Sequence, residues 1–175
     1  ICRLSEEFIK LTKKKEAKYY ASIVTNGYLL DKKTVSILKR CNIDGAQVTL
    51  DGPPEYHDRI RCLRNGEGTF DKIVDNIAQT GNDFMVSVLT NIGKKNVDLF
   101  PTLLDILEER GIKNKIVLNV AYIEPREYLR EDINDMTYTP EEFSKVFARL
   151  VGMLVDRDIG TSIVDKSFET HCGAN

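Results

Sequence analysis

The feature that most limits what this chain can fold into is a change of apolar period that recurs four times. Four short apolar runs are each closed by small polar residues or a turn: Tyr19 to Val24, Ala46 to Leu50, Phe84 to Leu89 and Ile116 to Ile123. Apolar residues at helical spacing separate and follow them: Val35, Leu38 and Cys41, then Phe70, Ile73, Val74 and Ile77, then Leu99, Leu103, Ile106 and Leu107, then Phe143, Val146, Phe147, Leu150 and Leu154. Strand followed by helix, repeated, implies parallel pairing through crossover connections. Each strand reads as apolar on both faces, as in a sheet covered by helices on one side and packed on the other. The fold class is therefore α/β, built of parallel (β/α) repeats. Part of a TIM-like barrel and a doubly wound sheet both remain open at this point.

Punctuation supports the element boundaries. Asp31 is placed to cap the first of these helices and Thr69 the next, with Gly81 as a left-handed stop and Gly111 ending the third. Thr139-Pro140-Glu141-Glu142 is a capping box with proline at the first helical position. Ile1, Leu4, Phe8 and Leu11 give an additional helix at the start, and Gly160 to Val164 reads as a further short strand. The charged, irregular stretch 126–138 is long for a connection and reads as a functional loop or lid.

The gross numbers exclude several classes. A chain of 175 residues, 42% hydrophobic and 30% charged, can bury one core; its formal charge of −2 argues against a nucleic-acid binder. No apolar run approaches the roughly 20 residues that would span a bilayer, and no signal peptide opens the chain. Cys2, Cys41, Cys62 and Cys172 are irregularly spaced, so no disulfide framework is expected, and Cys41 reads as a buried free thiol. The reading is a soluble, cytoplasmic chain that binds neither nucleic acid nor membrane. Both ends look cut, as in a piece of a larger enzyme.

In parallel (β/α) folds, sites form at the C-terminal ends of strands. Those ends carry Thr25-Asn26-Gly27, Thr49-Leu50-Asp51-Gly52, Thr90-Asn91 and the stretch from Asn119. Such groups suit hydrogen bonds to a polar ligand, but they supply no nucleophile–base pair. Each also has a plain structural use: Asn26-Gly27 as a tight turn, Asp51 as a loop cap, Arg61 as the partner of Asp58. No Gly-x-Gly-x-x-Gly turn follows any strand, which lowers the dinucleotide-binding reading.

At these residues the chain resembles a known family. Thr25-Asn26-Gly27-Tyr28-Leu29-Leu30 is similar to the "TNG-x-LL" segment of radical S-adenosylmethionine enzymes. The stretch Val48-Thr49-Leu50-Asp51-Gly52-Pro53-Pro54-Glu55-Tyr56-His57-Asp58-Arg59-Ile60-Arg61 is similar to the family's "SLDGP-x-x-x-HD-x-x-R" segment, and Arg64-Asn65-Gly66-Glu67-Gly68-Thr69-Phe70 continues the match. The resemblance is to the branch that modifies peptides and proteins, including sulfatase-maturating enzymes. It implies a six-stranded partial barrel of which residues 1–165 hold strands three to six. Residues 166–175 would begin a C-terminal auxiliary-cluster (SPASM-like) region.

The resemblance implies S-adenosylmethionine and a [4Fe-4S] cluster as cofactors, reductive cleavage to a 5′-deoxyadenosyl radical, and hydrogen abstraction from a peptide or protein substrate. The cluster's Cys-x3-Cys-x2-Cys ligands do not occur in this sequence, so the chain is expected to be inactive alone. By the same resemblance Thr49 and Arg61 contact the cofactor, Arg61 through its carboxylate, and Leu118 lies near the adenine. Thr25 and Asn26 face the substrate, and Cys172 ligates an auxiliary cluster in the full-length protein. An incomplete barrel leaves open strand edges, through which the chain is expected to self-associate. The competing readings are a barrel lyase or isomerase and a non-catalytic scaffold or interaction module.

Overall fold

The computed structural model describes residues 1–123 and 136–162. Its centre is one four-stranded sheet: β1 (Ser22–Thr25), β2 (Gly45–Thr49), β3 (Met85–Ile92) and β4 (Ile116–Tyr122). All pairs are parallel, and the spatial order is β1-β2-β3-β4. Every strand is thus laid beside its predecessor without the reversal of order that defines a doubly wound sheet. The alternative left open by the sequence closes in favour of the partial barrel.

Among the described residues six α-helices accompany the sheet: α1 (Cys2–Lys14), α2 (Lys32–Arg40), α3 (Pro54–Ile60), α4 (Phe70–Ala78), α5 (Phe100–Glu109) and α6 (Pro140–Asp156). Alternate residues of the strands are covered by them. Ala46, Val48, Val86, Val88, Thr90, Ile92, Ile116, Leu118 and Val120 are buried on the helix side, in one core with Ile73, Ile77, Leu103, Leu107, Leu150 and Leu154. The intervening positions, Gln47, Thr49, Ser87, Leu89, Asn91, Val117 and Asn119, are only half-buried. The sheet is therefore not apolar on both faces, as its sequence suggested. Its second face mixes polar and apolar groups that the described helices leave only half-covered.

Local chemistry sets the helix ends. Asp31 Oδ1 accepts from Thr34 N at 2.7 Å and starts α2. The capping box holds at α6, where Glu142 N donates to Thr139 Oγ1 at 3.2 Å and Thr139 N to Glu142 Oε2 at 2.9 Å. Helix α4 departs from expectation at both ends. Thr69 does not cap it with its side chain; Asp58 does, Oδ1 accepting from Thr69 N and Phe70 N, each at 2.8 Å. The helix then closes at Gln79 in an ordinary right-handed conformation, so Gly81 is not its left-handed stop. Gly111, at φ 66°, does follow α5 as expected.

The cysteines depart from expectation too. A disulfide joins Cys2 to Cys41, tying the first residue of α1 to the end of α2, while Cys62 is free and exposed. Spacing could not reveal this pair, because tertiary packing brings together residues 39 apart in sequence. Helix α1 exists as read, but Ile1, Leu4, Phe8 and Leu11 are exposed rather than buried. Beside β4, Leu118 N donates to Gly160 O at 2.7 Å, so the chain lies against the sheet edge where a further strand was read. The rest of that segment, most of the 126–138 connection and residues 166–175 lie outside the described residues. No described helix is long and apolar enough to cross a membrane.

The turn after β1 depends on glycine. Gly27 has φ 79°, and a Cβ there would meet Val48 Cγ1 at 2.7 Å and Ile73 Cγ2 at 3.1 Å. Gly66 has φ 87° with nothing within 4 Å. Gly66→Ala should therefore cost only the left-handed penalty of about 1–2 kcal/mol. Gly27→Ala should cost that plus a further ~1–3 kcal/mol of overpacking. Urea unfolding of the two variants checks this; equal losses would contradict the packing assigned to the turn.

Candidate active site at the strand ends

The rim at the C-terminal ends of β2 and β3 is organised around one carboxylate. Asp51 follows Thr49 by two residues, so in extended chain both point to the half-open face. Its side chain is only 5% exposed. Oδ1 accepts from Asn91 N at 3.1 Å and Asn91 Nδ2 at 2.9 Å, while Oδ2 accepts from Arg61 Nε at 2.5 Å. The main chain of Asp51 is engaged as well. Its carbonyl accepts from Asn96 Nδ2 at 2.6 Å, and its N–H donates to His57 Nδ1 at 3.3 Å. A buried carboxylate is costly unless its lone pairs are occupied, and here three segments of chain supply the donors.

Arg61 closes helix α3, its N–H donating to His57 O at 2.8 Å. Its partner is Asp51, not Asp58 as the sequence alone suggested, because Asp58 is committed to the start of α4. The Arg61 side chain is 42% exposed. Among the described residues only its Nε is hydrogen-bonded, which leaves both terminal amines available.

His57 braces this loop from behind and is fully buried. Because Asp51 N–H donates to Nδ1, that nitrogen is an acceptor and the ring proton sits on Nε2. It is directed at Thr69 Oγ1, 3.2 Å away, which in turn donates to Arg61 O at 2.6 Å. A single chain of hydrogen bonds thus runs from the backbone of Asp51 to that of Arg61. Asn96 completes the brace, donating also to Asn91 O at 2.8 Å and accepting from Gly93 N at 2.7 Å.

The residues singled out in the sequence are brought together only in part. Thr49 is half-buried on the open face, in register with Leu89, and shares the rim with Arg61 through Asp51. Leu118 is not on that face. It is 0% exposed, in register with Val48 and Val88 on the helix side, so its side chain packs in the core. The open-face neighbour at its level is Asn119, whose Nδ2 donates to Ser87 Oγ at 3.0 Å and whose Oδ1 accepts from Ser162 Oγ at 2.6 Å. Thr25 shares the helix-side register with Val48, and its hydroxyl accepts from Gly27 N at 3.3 Å. Asn26 is exposed and accepts from Tyr28 N at 3.2 Å, a local turn that Asn76 Nδ2 fixes by donating to Gly27 O and Tyr28 O. Cys172 lies outside the described residues.

Sequence reasoning missed His57, Asn96 and Asn76. His57 was visible only as part of the matched string. Asn96 reads as a helix cap before Val97, and Asn76 as one polar residue on an amphipathic helix. Their long reach, 45 and 49 residues along the chain, leaves no local signal.

Sequential parallel strands, helices on one face and a charged rim at the strand ends define a class: a partial (β/α) barrel. Solved structures of anSMEcpe, an anaerobic sulfatase-maturating enzyme, share it. Native anSMEcpe with bound AdoMet matches with a TM-score of 0.68 at 18% identity, over 92% of this chain and 46% of that one. Its complex with AdoMet and the Cp18Cys peptide matches with a TM-score of 0.69 at 18% identity, over 91% and 46%. A curated relative, the Fe-coproporphyrin III synthase of Methanosarcina barkeri, is 30% identical over 103 residues, 58% of this chain and 25% of the relative. No family model matches. The chain thus spans about half the length of those structures and a quarter of that relative, and the likeness to the structures establishes the fold.

Burial pushes the His57 imidazole below its ordinary value of 6.5, against the opposing pull of Asp51 and Asp58. Between 6.5 and the lower folded value the unfolded chain binds more protons than the folded one. Stability is therefore complete above about pH 6.5 and falls as pH drops through that window, by at most about 1.4 kcal/mol per unit. Urea midpoints from pH 7.5 to 5 should show the fall, and His57→Gln should flatten it; an unchanged slope in the variant would contradict the brace.

Proposed function

We propose that this chain is the cofactor-positioning part of a radical S-adenosylmethionine enzyme acting on a peptide or protein. The observation that carries the reading is the rim itself: Arg61 is held through Nε by Asp51, two residues past Thr49, and its terminal amines have no partner among the described residues. These groups fit S-adenosylmethionine. A guanidinium fork suits the carboxylate of its amino-acid end, and the Thr49 hydroxyl, without a protein partner among the described residues, suits a polar edge. Asn119 replaces Leu118 as the β4 residue facing that space.

The described residues do not fit an iron–sulfur cluster, since no group of three or more His, Cys, Asp or Glu among them could hold a metal. Catalysis in this reading is a property of the full-length protein, with cluster ligands outside the described residues. When bound, S-adenosylmethionine would supply the hydrogen-abstracting species. The part played by this chain is to hold the cofactor's charged end and to wall the reaction from the core with the helix-covered strand face.

Two observations bear on the substrate. The fold match to anSMEcpe extends to its peptide complexes, which favours a peptide. The 30% identity to the Fe-coproporphyrin III synthase favours a tetrapyrrole as the second reading.

The full-length protein, prepared without oxygen and with its cluster reconstituted, should form 5′-deoxyadenosine from S-adenosylmethionine and dithionite. Arg61→Ala should raise the KM for S-adenosylmethionine roughly 10- to 100-fold, the loss expected for a charged hydrogen-bonded pair. No 5′-deoxyadenosine from the wild-type protein would overturn the reading. Mass spectrometry after incubation with Cys-containing peptides or with iron coproporphyrin would separate the two substrate classes.

A further inference from the structure

We propose that Asp51 is the positioning residue of this site: it fixes Arg61 by the inner nitrogen so that the two outer amines form an end-on fork for a carboxylate. The inference deepens the function proposed above and rests on it.

Arg61 has five N–H groups in one plane. A carboxylate can dock side-on, across Nε and one terminal amine, or end-on, across both terminal amines. Asp51 Oδ2 takes Nε at 2.5 Å, and among the described residues no other group bonds the Arg61 side chain. The side-on mode is then occupied, and the end-on mode is left for a ligand.

Asp51 can impose this choice because it is itself immobile. Its other oxygen is saturated by both amides of Asn91, its carbonyl by Asn96, and its N–H by His57. An exposed aspartate would pair with Arg61 loosely and lose most of the pairing to solvent screening. This one is buried while its partner is half-exposed, so the fixed end of the pair is the protein end and the free end is reachable from solvent. The half of Arg61 that faces outward has lost rotational freedom before any ligand arrives, which lowers the ordering cost of binding.

A merely structural aspartate would weaken every ligand alike when altered. A positioning aspartate weakens only ligands that carry the carboxylate. Binding to the full-length, cluster-loaded protein is therefore measured anaerobically by calorimetry with two probes, S-adenosylmethionine and its decarboxylated analogue. Asp51→Asn preserves shape but turns an amide toward Arg61 or Asn91. It should raise the dissociation constant for S-adenosylmethionine about 10-fold or more while changing that for the analogue less than about 3-fold, on the scale of charged hydrogen bonds. Arg61→Lys, which keeps charge but loses the planar fork, should show the same selectivity.

Equal weakening of both probes, or no weakening of either, would overturn the positioning role while leaving the proposed function standing. Failure of the wild-type protein to bind S-adenosylmethionine would overturn both. If Asp51→Asn does not fold, Asn91→Ala, which removes one side-chain donor to Oδ1, gives the second arm: it should loosen S-adenosylmethionine selectively, and equal loss of the two probes would count against the role.

Discussion

The site depends on one buried carboxylate. Asp51 stands just past the end of β2 and is satisfied from β3, from the loop before α5 and from the end of α3. A carboxylate placed there without those donors would be strongly destabilising, and removing one partner of such a pair leaves the other uncompensated. The consequence is that two stretches of chain, 51–61 and 91–96, are pinned at one point on the rim. The "LDGPPEYHDRIR" string then has a physical content. Asp51 makes the anchor, Gly52 and Pro53 turn the chain, His57 braces it, Asp58 starts the next helix, and Arg61 returns to the anchor.

The same rim is where a parallel (β/α) fold can place chemistry. The helix side of the sheet is closed: Val48, Val88 and Leu118 are fully buried there. The other side carries the row Gln47, Ser87 and Val117 and, nearer the strand ends, the row Thr49, Leu89 and Asn119, groups that are half-covered and partly polar. Turns lying over the helices, like that of Asn26 held by Asn76, are spent on structure. Strand parity puts Thr49 on the half-covered face and Thr25 and Leu118 on the helix side.

Much of this was legible in the sequence, for identifiable reasons. The four strands and their helices follow from period changes that no other fold class produces, and Asp31, Gly111 and the Thr139 box state their roles locally. Strand ends were off by a residue or more, and β3 runs on to Ile92, because Thr90 and Asn91 look like turn residues but continue the ladder. The face that Leu118 takes is not legible, because every strand there reads apolar and only the register with Val88 reveals it. The Cys2–Cys41 bond and the reach of Asn96 to Asp51 are purely tertiary. So is the choice of Asp51 over Asp58 by Arg61, since both acids are near it in sequence and only the capping duty of Asp58 decides.

The central claim is that Arg61, held from within by Asp51, receives the carboxylate of S-adenosylmethionine on the open face of the sheet. A crystal structure of the full-length protein with that ligand tests it most directly. Both outer nitrogens of Arg61 should lie about 2.7–2.9 Å from the ligand carboxylate, with Nε still on Asp51. A ligand carboxylate held elsewhere, with Arg61 turned away from it, would contradict the account.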